Sequence, residues 1–354
     1  MCNIPAKKKG YLYLCVSVII IFVTINEIFN VKDDKMKKEQ DGDYFHILRL
    51  RSERLKHSCS HLSSNGKSLI ANTKYLSTNL YWFGKEDIVY CPVFKSASST
   101  WIENFIQLCS ANKSILSRAK QRHHGNLIEQ LKYIGAIQPT EKIWYTYLDE
   151  HRLPQNLIGF MVVRHPFERL VSAYRDKLER MNLFYYEKYG KKIVYRFRDM
   201  AVKTLGEDFF SKSNSYGTLL NVSQDDRPNA SLPSFWEFVQ SVIIKLNMDE
   251  HWKPIYEHCS VCHPIQLHVH PYILKFENLK EEGPAFLRYF GWEHKINKST
   301  KLNVNNYSHM SSAEITQLYF SILSKDEIRK LYSVYEYDFL LFDYTFKIGD
   351  LSVP

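Results

Sequence analysis

Between Lys95 and Thr100 the chain reads Lys-Ser-Ala-Ser-Ser-Thr, one cation and four hydroxyls among small side chains. A loop of small residues that opens into a helix lets successive backbone N–H groups and the helix N-terminus converge on a phosphate or sulfate. Lys95 adds a full positive charge at the start of that loop. Ser96, Ser98, Ser99 and Thr100 add hydroxyl donors, with Ala97 among the small residues. Taken alone, such a turn is equally well read as a plain connection from strand to helix. The pattern G-x-x-x-x-G-K-[ST] is absent, which disfavours ordinary nucleoside triphosphate hydrolysis. A second group is Arg164, with Ser172 eight residues further on. An Arg at a strand end and a hydroxyl in the following helix can hold a second, separate phosphate. Two anion sites at two strand ends suggest a nucleotide with phosphate groups at both ends.

The elements that must position these residues share one local pattern. Residues 87–94 (DIVYCPVF) form a short apolar run with strand character, and Trp101, Ile102, Phe105, Ile106, Leu108 and Cys109 then recur at helical spacing. Residues 157–163 (LIGFMVV) are apolar enough for a buried parallel strand. That run ends at Arg164-His165-Pro166, where Pro166 suits the first turn of a helix. Phe167, Leu170, Val171, Tyr174, Leu178 and Met181 mark one face of this helix, and Ser172 falls on another. Two strand–loop–helix units argue for an α/β fold with a parallel sheet flanked by helices. Near the C-terminus Ser324-Lys325-Asp326-Glu327 is a capping box that opens a helix with Ile328, Leu331, Tyr332 and Tyr335 on one side.

The block V-x-K-S-A-S-S-T-W at 93–101, together with R-H-P-F-E-R-L-V-S-A-Y-R-D-K at 164–177, resembles the Golgi carbohydrate O-sulfotransferases. The group it is most similar to contains the chondroitin and dermatan 4-O-sulfotransferases. The likeness continues through Asp249-Glu250-His251-Trp252-Lys253-Pro254, Cys259-x-x-Cys262, Lys275-Phe276-Glu277-Asn278-Leu279 and residues 337–342 (YDFLLF), and so covers about residues 82–344. It implies a P-loop-like sulfotransferase fold and the sulfuryl donor 3′-phosphoadenosine-5′-phosphosulfate, with no permanently bound cofactor and no metal. It further implies that Lys95 to Thr100 hold the 5′-phosphosulfate, and that Arg164 and Ser172 hold the 3′-phosphate. The loop departs from the family pattern, which usually has Pro before the Lys; here Phe94 precedes it and Ser96-Ala97-Ser98-Ser99-Thr100 follows. The Lys, the small residues and Trp101 are kept.

In such a transfer a sugar hydroxyl attacks sulfur in line, and the nucleotide phosphate leaves with growing negative charge. Lys95 and the loop N–H groups would stabilise that charge where it develops. His124, with His123 beside it, is the nominee for a base acting on the acceptor hydroxyl; the competing reading is a surface His pair in a basic loop. The expected acceptor is a glycan, with the 4-hydroxyl of N-acetylgalactosamine in chondroitin- or dermatan-type chains as the leading choice.

Composition sets bounds on all of this. The chain has 354 residues, 47 Lys+Arg against 38 Asp+Glu, and a net charge of +9, an excess that suits anionic partners and here a polyanionic acceptor in preference to nucleic acid. Ordinary hydrophobic and charged fractions exclude a disordered or collagen-like chain. The expected organisation is a cytosolic tail over 1–10, a signal-anchor helix over 11–29, a lumenal stem over 30–80, a catalytic domain over 81–346 and a tail over 347–354. The anchor rests on the uncharged run 11–25 (YLYLCVSVIIIFVTI), for which a cleaved signal peptide and a buried core helix are the alternatives. Asn112, Asn221, Asn229, Asn297 and Asn306 head Asn-x-Ser/Thr acceptor sequences, consistent with a single-pass Golgi membrane protein whose catalytic domain is lumenal. In that compartment one or both of Cys259 and Cys262 are expected in disulfides, with Cys262, Cys91 and Cys109 the open partners of Cys259. Cys259-x-x-Cys262-His263 also fits a haem-attachment pattern or part of a zinc site. The competing functions are a catalytically silent glycan-binding protein on the same fold and a nucleotide kinase.

Overall fold

The structure is a computed structural model that describes residues 42–62, 79–84, 87–109, 117–118, 121–122, 126–139, 142–144, 146, 157–180, 182–207, 232–246, 248–263, 271–296, 310–348 and 351–353. The apolar run 11–29, His123, His124 and the five acceptor Asn residues lie outside these. Among the described residues no helix is long and apolar enough to cross a membrane.

A helix over 42–62 (α1) precedes the first strand. Strands β1 (Tyr81–Phe83), β2 (Ile88–Tyr90), β3 (Ile158–Val163) and β4 (Tyr272–Lys275) form one sheet in the order β1-β2-β3-β4. β2, β3 and β4 run parallel, with Tyr90 opposite Phe160 and Val163 opposite Lys275, while β1 caps the edge antiparallel to β2. The parallel sheet read from the sequence is present, and its antiparallel edge strand is an addition.

Alternation along β3 sorts the helices onto two faces. Phe160 and Val162 pack in one apolar cluster with Trp101, Ile102 and Phe105 of α2 (Ser98–Cys109). Phe286, from a later helix over Leu279–Tyr289, joins that same cluster. Met161 and Val163 point to the other face. There they join Phe167, Leu170 and Val171 of α4 (Pro166–Tyr174), which follows a short α3 (Leu127–Tyr133). Beyond α4 come α5 (Lys191–Leu205), α6 (Phe235–Ile243), α7 (Ile255–His258), α8 (Leu279–Tyr289), α9 (Ser312–Phe320) and α10 (Lys325–Phe342). The capping box holds: Ser324 accepts from the Glu327 N–H, the Glu327 carboxylate accepts from the Ser324 N–H, and Ile328, Leu331 and Tyr335 are buried.

Two findings correct the sequence reading at the edges. Within the stretch read as a polar stem, α1 buries Leu48, Ser52, Leu55, Cys59 and Leu62 against the domain. Their spacings of four, three, four and three residues are a helical stripe diluted by Ser52 and Cys59 and by the charges between them. Arg51 of α1 grips the buried Glu282 of α8 in a two-pronged ion pair at 2.7 and 2.9 Å, and Cys59 is disulfide-bonded to Cys262. At the other end Phe346–Ile348 (β5) pairs antiparallel with Leu351–Val353 (β6), so residues read as a tail belong to a hairpin.

Candidate functional site

The Lys95 loop leaves β2 at the carboxyl end of the sheet, where ligands bind in open α/β folds. Its backbone is unusual, because Lys95 has φ +69° and Ala97 φ +60°, both in the left-handed region. Non-glycine residues there cost on the order of 1–2 kcal/mol each, and the alternation of hand folds the intervening N–H groups into a concave nest. Ala97 accepts from the Trp101 N–H, so α2 starts at Ser98 and the N–H groups of Ser98 and Ser99 have no acceptor within the helix. The Ser96 hydroxyl, 1% exposed, has no hydrogen-bond partner among the described residues. A strained nest, orphan donors and an unpartnered buried hydroxyl together make a place for an anion.

The Lys95 ammonium lies 3.0 Å from Asp176, which also holds Lys177 at 3.1 Å. Burial lowers the Lys95 ammonium from its ordinary value, and Asp176 offsets part of that. Burial also pushes the Asp176 carboxyl up, but Lys95 and Lys177 more than reverse this and leave it below the usual carboxylate value. Asp176 and Lys177 sit in a π-helical segment, Arg175–Glu179, that continues α4. Such bulges rotate side chains off the regular helical face.

Arg164 stands at the end of β3, as expected, and is 8% exposed. Its Nη1 donates to the Lys95 carbonyl at 2.9 Å and its Nη2 to the Ser312 hydroxyl at 2.5 Å, with Glu168 at 3.8 Å and the Phe276 ring below at 4.3 Å. Burial lowers its guanidinium from the ordinary value, and the nearby carboxylates of Glu168 and Glu277 oppose this. The two expected anion groups are thus brought edge to edge. Ser172 is half-buried two turns into α4, and no hydrogen bond joins it to Arg164. Ser312, at the start of α9, is the hydroxyl that meets Arg164 instead; its distance of 148 residues along the chain hid it from any local pattern.

Sequence reasoning also missed what holds the loop. Arg169, 1% exposed, donates to the carbonyls of Phe94 at 2.9 Å, Lys253 at 2.7 Å and Glu250 at 2.9 Å. One buried guanidinium therefore ties the Lys95 loop to the turn Asp249–Pro254. A disulfide from Cys91, four residues before Lys95, to Cys259 fastens the strand before the loop to the end of α7, which follows that turn. Both sulfurs of Cys259-x-x-Cys262 are thereby spent, which removes the haem and zinc readings of that motif. Within the Asp249 turn, His251 lies over Phe94 at 4.7 Å between ring centres and hydrogen-bonds Asp249 at 2.7 Å. The sequence did carry a signal for it, a His two residues after an Asp in a turn ending at Pro254.

Residues 78–345 match the family model described as the sulfotransferase family. The chain is 24% identical over 318 residues to human carbohydrate sulfotransferase 8, covering 88% of this chain and 66% of that protein. It is 25% identical over 321 residues to human carbohydrate sulfotransferase 9, covering 89% and 62%. With rat carbohydrate sulfotransferase 11 the identity is 28% over 265 residues, covering 73% and 65%. The match thus spans a little under two thirds of the length of these relatives. No solved structure matches the chain.

Proposed function

This chain belongs to the sulfotransferase family, and we propose that it moves a sulfuryl group from 3′-phosphoadenosine-5′-phosphosulfate to a hydroxyl of a glycan. The observation that carries the reading is the hydrogen bond at 2.9 Å from Arg164 to the Lys95 carbonyl, which sets a cationic clamp beside a strained anion nest. One nucleotide with phosphate at both ends fits such a pair. The loop from Lys95 to Thr100 would take the 5′-phosphosulfate, and Arg164 with Ser172 or Ser312 the 3′-phosphate. As the S–O bond to the nucleotide breaks, negative charge grows on the leaving phosphate oxygen, and a fixed ammonium with N–H donors lowers the barrier at that point. The Lys95–Asp176 ion pair holds the ammonium ready, and the donor would compete with Asp176 for it.

The finer reading is transfer to the 4-hydroxyl of N-acetylgalactosamine in chondroitin- or dermatan-type chains. The net charge of +9 supports a polyanionic acceptor, and the carbohydrate sulfotransferases among the relatives support a glycan. We place the protein in the Golgi lumen as a membrane-anchored enzyme. Two disulfides support an oxidising compartment. The decisive experiment is transfer of labelled sulfate from the donor to a panel of desulfated glycosaminoglycans, with product disaccharides identified. Tight binding of 3′-phosphoadenosine-5′-phosphate without transfer to any member would reduce the protein to a silent binder on the same fold.

A further inference from the structure

The Asp249–Pro254 turn is held against the Lys95 loop by two direct ties, the Arg169 guanidinium and the Phe94–His251 ring contact, and the Cys91–Cys259 disulfide fastens the chain just beyond α7. So much fixation of one largely buried turn against the loop where charge would develop asks what the turn presents there. It presents His251. The Asp249 carboxyl is pushed up by burial, but hydrogen bonds from His251 and the Tyr189 hydroxyl outweigh this and hold it well below the usual carboxylate range. Asp249 is therefore ionised and accepts only. Its Oδ1 lies 2.7 Å from His251 Nδ1, so that nitrogen carries the hydrogen and donates it. The Tyr185 hydroxyl lies 3.1 Å from the same nitrogen. Nε2, on the opposite edge, keeps its lone pair and has no hydrogen-bond partner among the described residues.

We propose that His251 is the catalytic base that takes the proton from the acceptor hydroxyl, with Asp249 as the residue that positions its ring; this rests on the sulfuryl-transfer reading above. In the step, the acceptor oxygen forms the new O–S bond while the S–O bond to the nucleotide phosphate breaks. The hydroxyl proton passes to His251 Nε2, the bonding pair leaves on the nucleotide phosphate, and His251 later releases its proton to solvent. The products are a sulfate ester, 3′-phosphoadenosine-5′-phosphate and one proton.

The surroundings keep the ring neutral before transfer. Facing it are Asp249 from its own turn, Lys177 and Tyr185 from the segments after α4, Lys95 from the donor loop and His258 from α7. Burial lowers His251 from its ordinary value, Lys177 and Lys95 lower it further, and Asp249 restores only part. The neighbouring His258 is a poor alternative. It is fully buried, with one ring nitrogen on the Pro92 carbonyl and the other on Asn79. His124, nominated from the sequence, lies outside the described residues.

The test compares the full-length protein with H251Q and D249N, using the best acceptor of the glycosaminoglycan panel. Turnover at saturating donor and acceptor is measured across pH 4 to 9, and binding of 3′-phosphoadenosine-5′-phosphate is titrated by calorimetry. H251Q is expected to lose ~10²–10⁴ in turnover, the contribution of a positioned base, while nucleotide affinity changes by no more than about threefold. The acid limb of the pH profile should vanish with it. D249N should retain that limb but shift it to lower pH, because the anion that favours the imidazolium is gone; a merely structural role would not move it. H251Q turnover within tenfold of the unsubstituted protein overturns the assignment, as does a loss of turnover matched by an equal loss of nucleotide affinity. An unsubstituted protein that neither binds the nucleotide nor transfers sulfate overturns the underlying reading as well, and that outcome is visible before any variant is made.

Discussion

Arg169→Lys isolates the geometry of the clamp under the donor loop, because it leaves the charge and its burial unchanged. The guanidinium spreads its donors over three carbonyls, those of Phe94, Glu250 and Lys253, at 2.7 to 2.9 Å. An ammonium at the end of a flexible stem is a single point and cannot reach all three. At least one of these partly buried carbonyls, and in most placements two, loses its donor. Each orphan costs ~1–3 kcal/mol, so the substitution should destabilise the fold by about 2–4 kcal/mol. In urea, with a slope of about 2 kcal/mol per molar, that is a fall in midpoint of roughly 1–2 M. Tryptophan fluorescence is a suitable probe, since Trp252 is buried beside Lys253, and the slope should stay the same. Affinity for 3′-phosphoadenosine-5′-phosphate should fall with stability, because the Phe94 carbonyl that steadies Lys95 loses its donor. A midpoint within about 0.3 M of the unsubstituted protein, equivalent to under ~1 kcal/mol, would refute the argument that one side chain fastens the two segments.

Three further outcomes are expected. Lys95→Ala should lower turnover by ~10²–10³ but nucleotide affinity only about tenfold, since the charge it meets is largest in the transition state; near-normal turnover with badly weakened binding would make Lys95 an anchor. Arg164→Ala should cost roughly ten- to a hundredfold in affinity for 3′-phosphoadenosine-5′-phosphate and erase most of its preference over the analogue lacking the 3′-phosphate; an unchanged preference in competition titrations removes Arg164 from that site. His258→Gln addresses stability against pH. Burial, with Arg169 nearby, holds His258 down to about 3 in the folded chain against 6.5 ordinarily. Below about pH 6.5 the unfolded chain takes a proton that the native one refuses, so stability falls as pH drops, by up to ~1.4 kcal/mol per pH unit. Between pH 7 and pH 5 the unsubstituted protein should lose about 2 kcal/mol more than H258Q in urea titrations; parallel profiles would contradict it.

The two strand–loop–helix units were legible because their information is local. Apolar residues run through β3 without interruption, Pro166 pre-sets the first turn of α4, and Ser324 with Glu327 closes the start of α10 by contacts three residues apart. Those rules act within a turn or two of chain, so the sequence alone placed Lys95 and Arg164 at the ends of parallel strands. Helix α1 obeyed the same periodicity, yet with Ser52 and Cys59 on its buried stripe the signal was too dilute to separate from a polar stem. What fills a buried stripe that poor is a partner from elsewhere: Cys59 bonds to Cys262, 203 residues away, and Arg51 pairs with Glu282, 231 residues away. Arg169 reads locally as one charge on an amphipathic helix. Only the packed structure shows it buried, because the three carbonyls that compensate it come from 75 to 84 residues along the chain. The choice of Cys91 for Cys259, the meeting of Ser312 with the Arg164 guanidinium and the seating of His251 against Phe94 have the same origin. Each depends on which distant segments the two faces of the sheet bring together, and a residue's type fixes what chemistry it offers but not which neighbour will receive it.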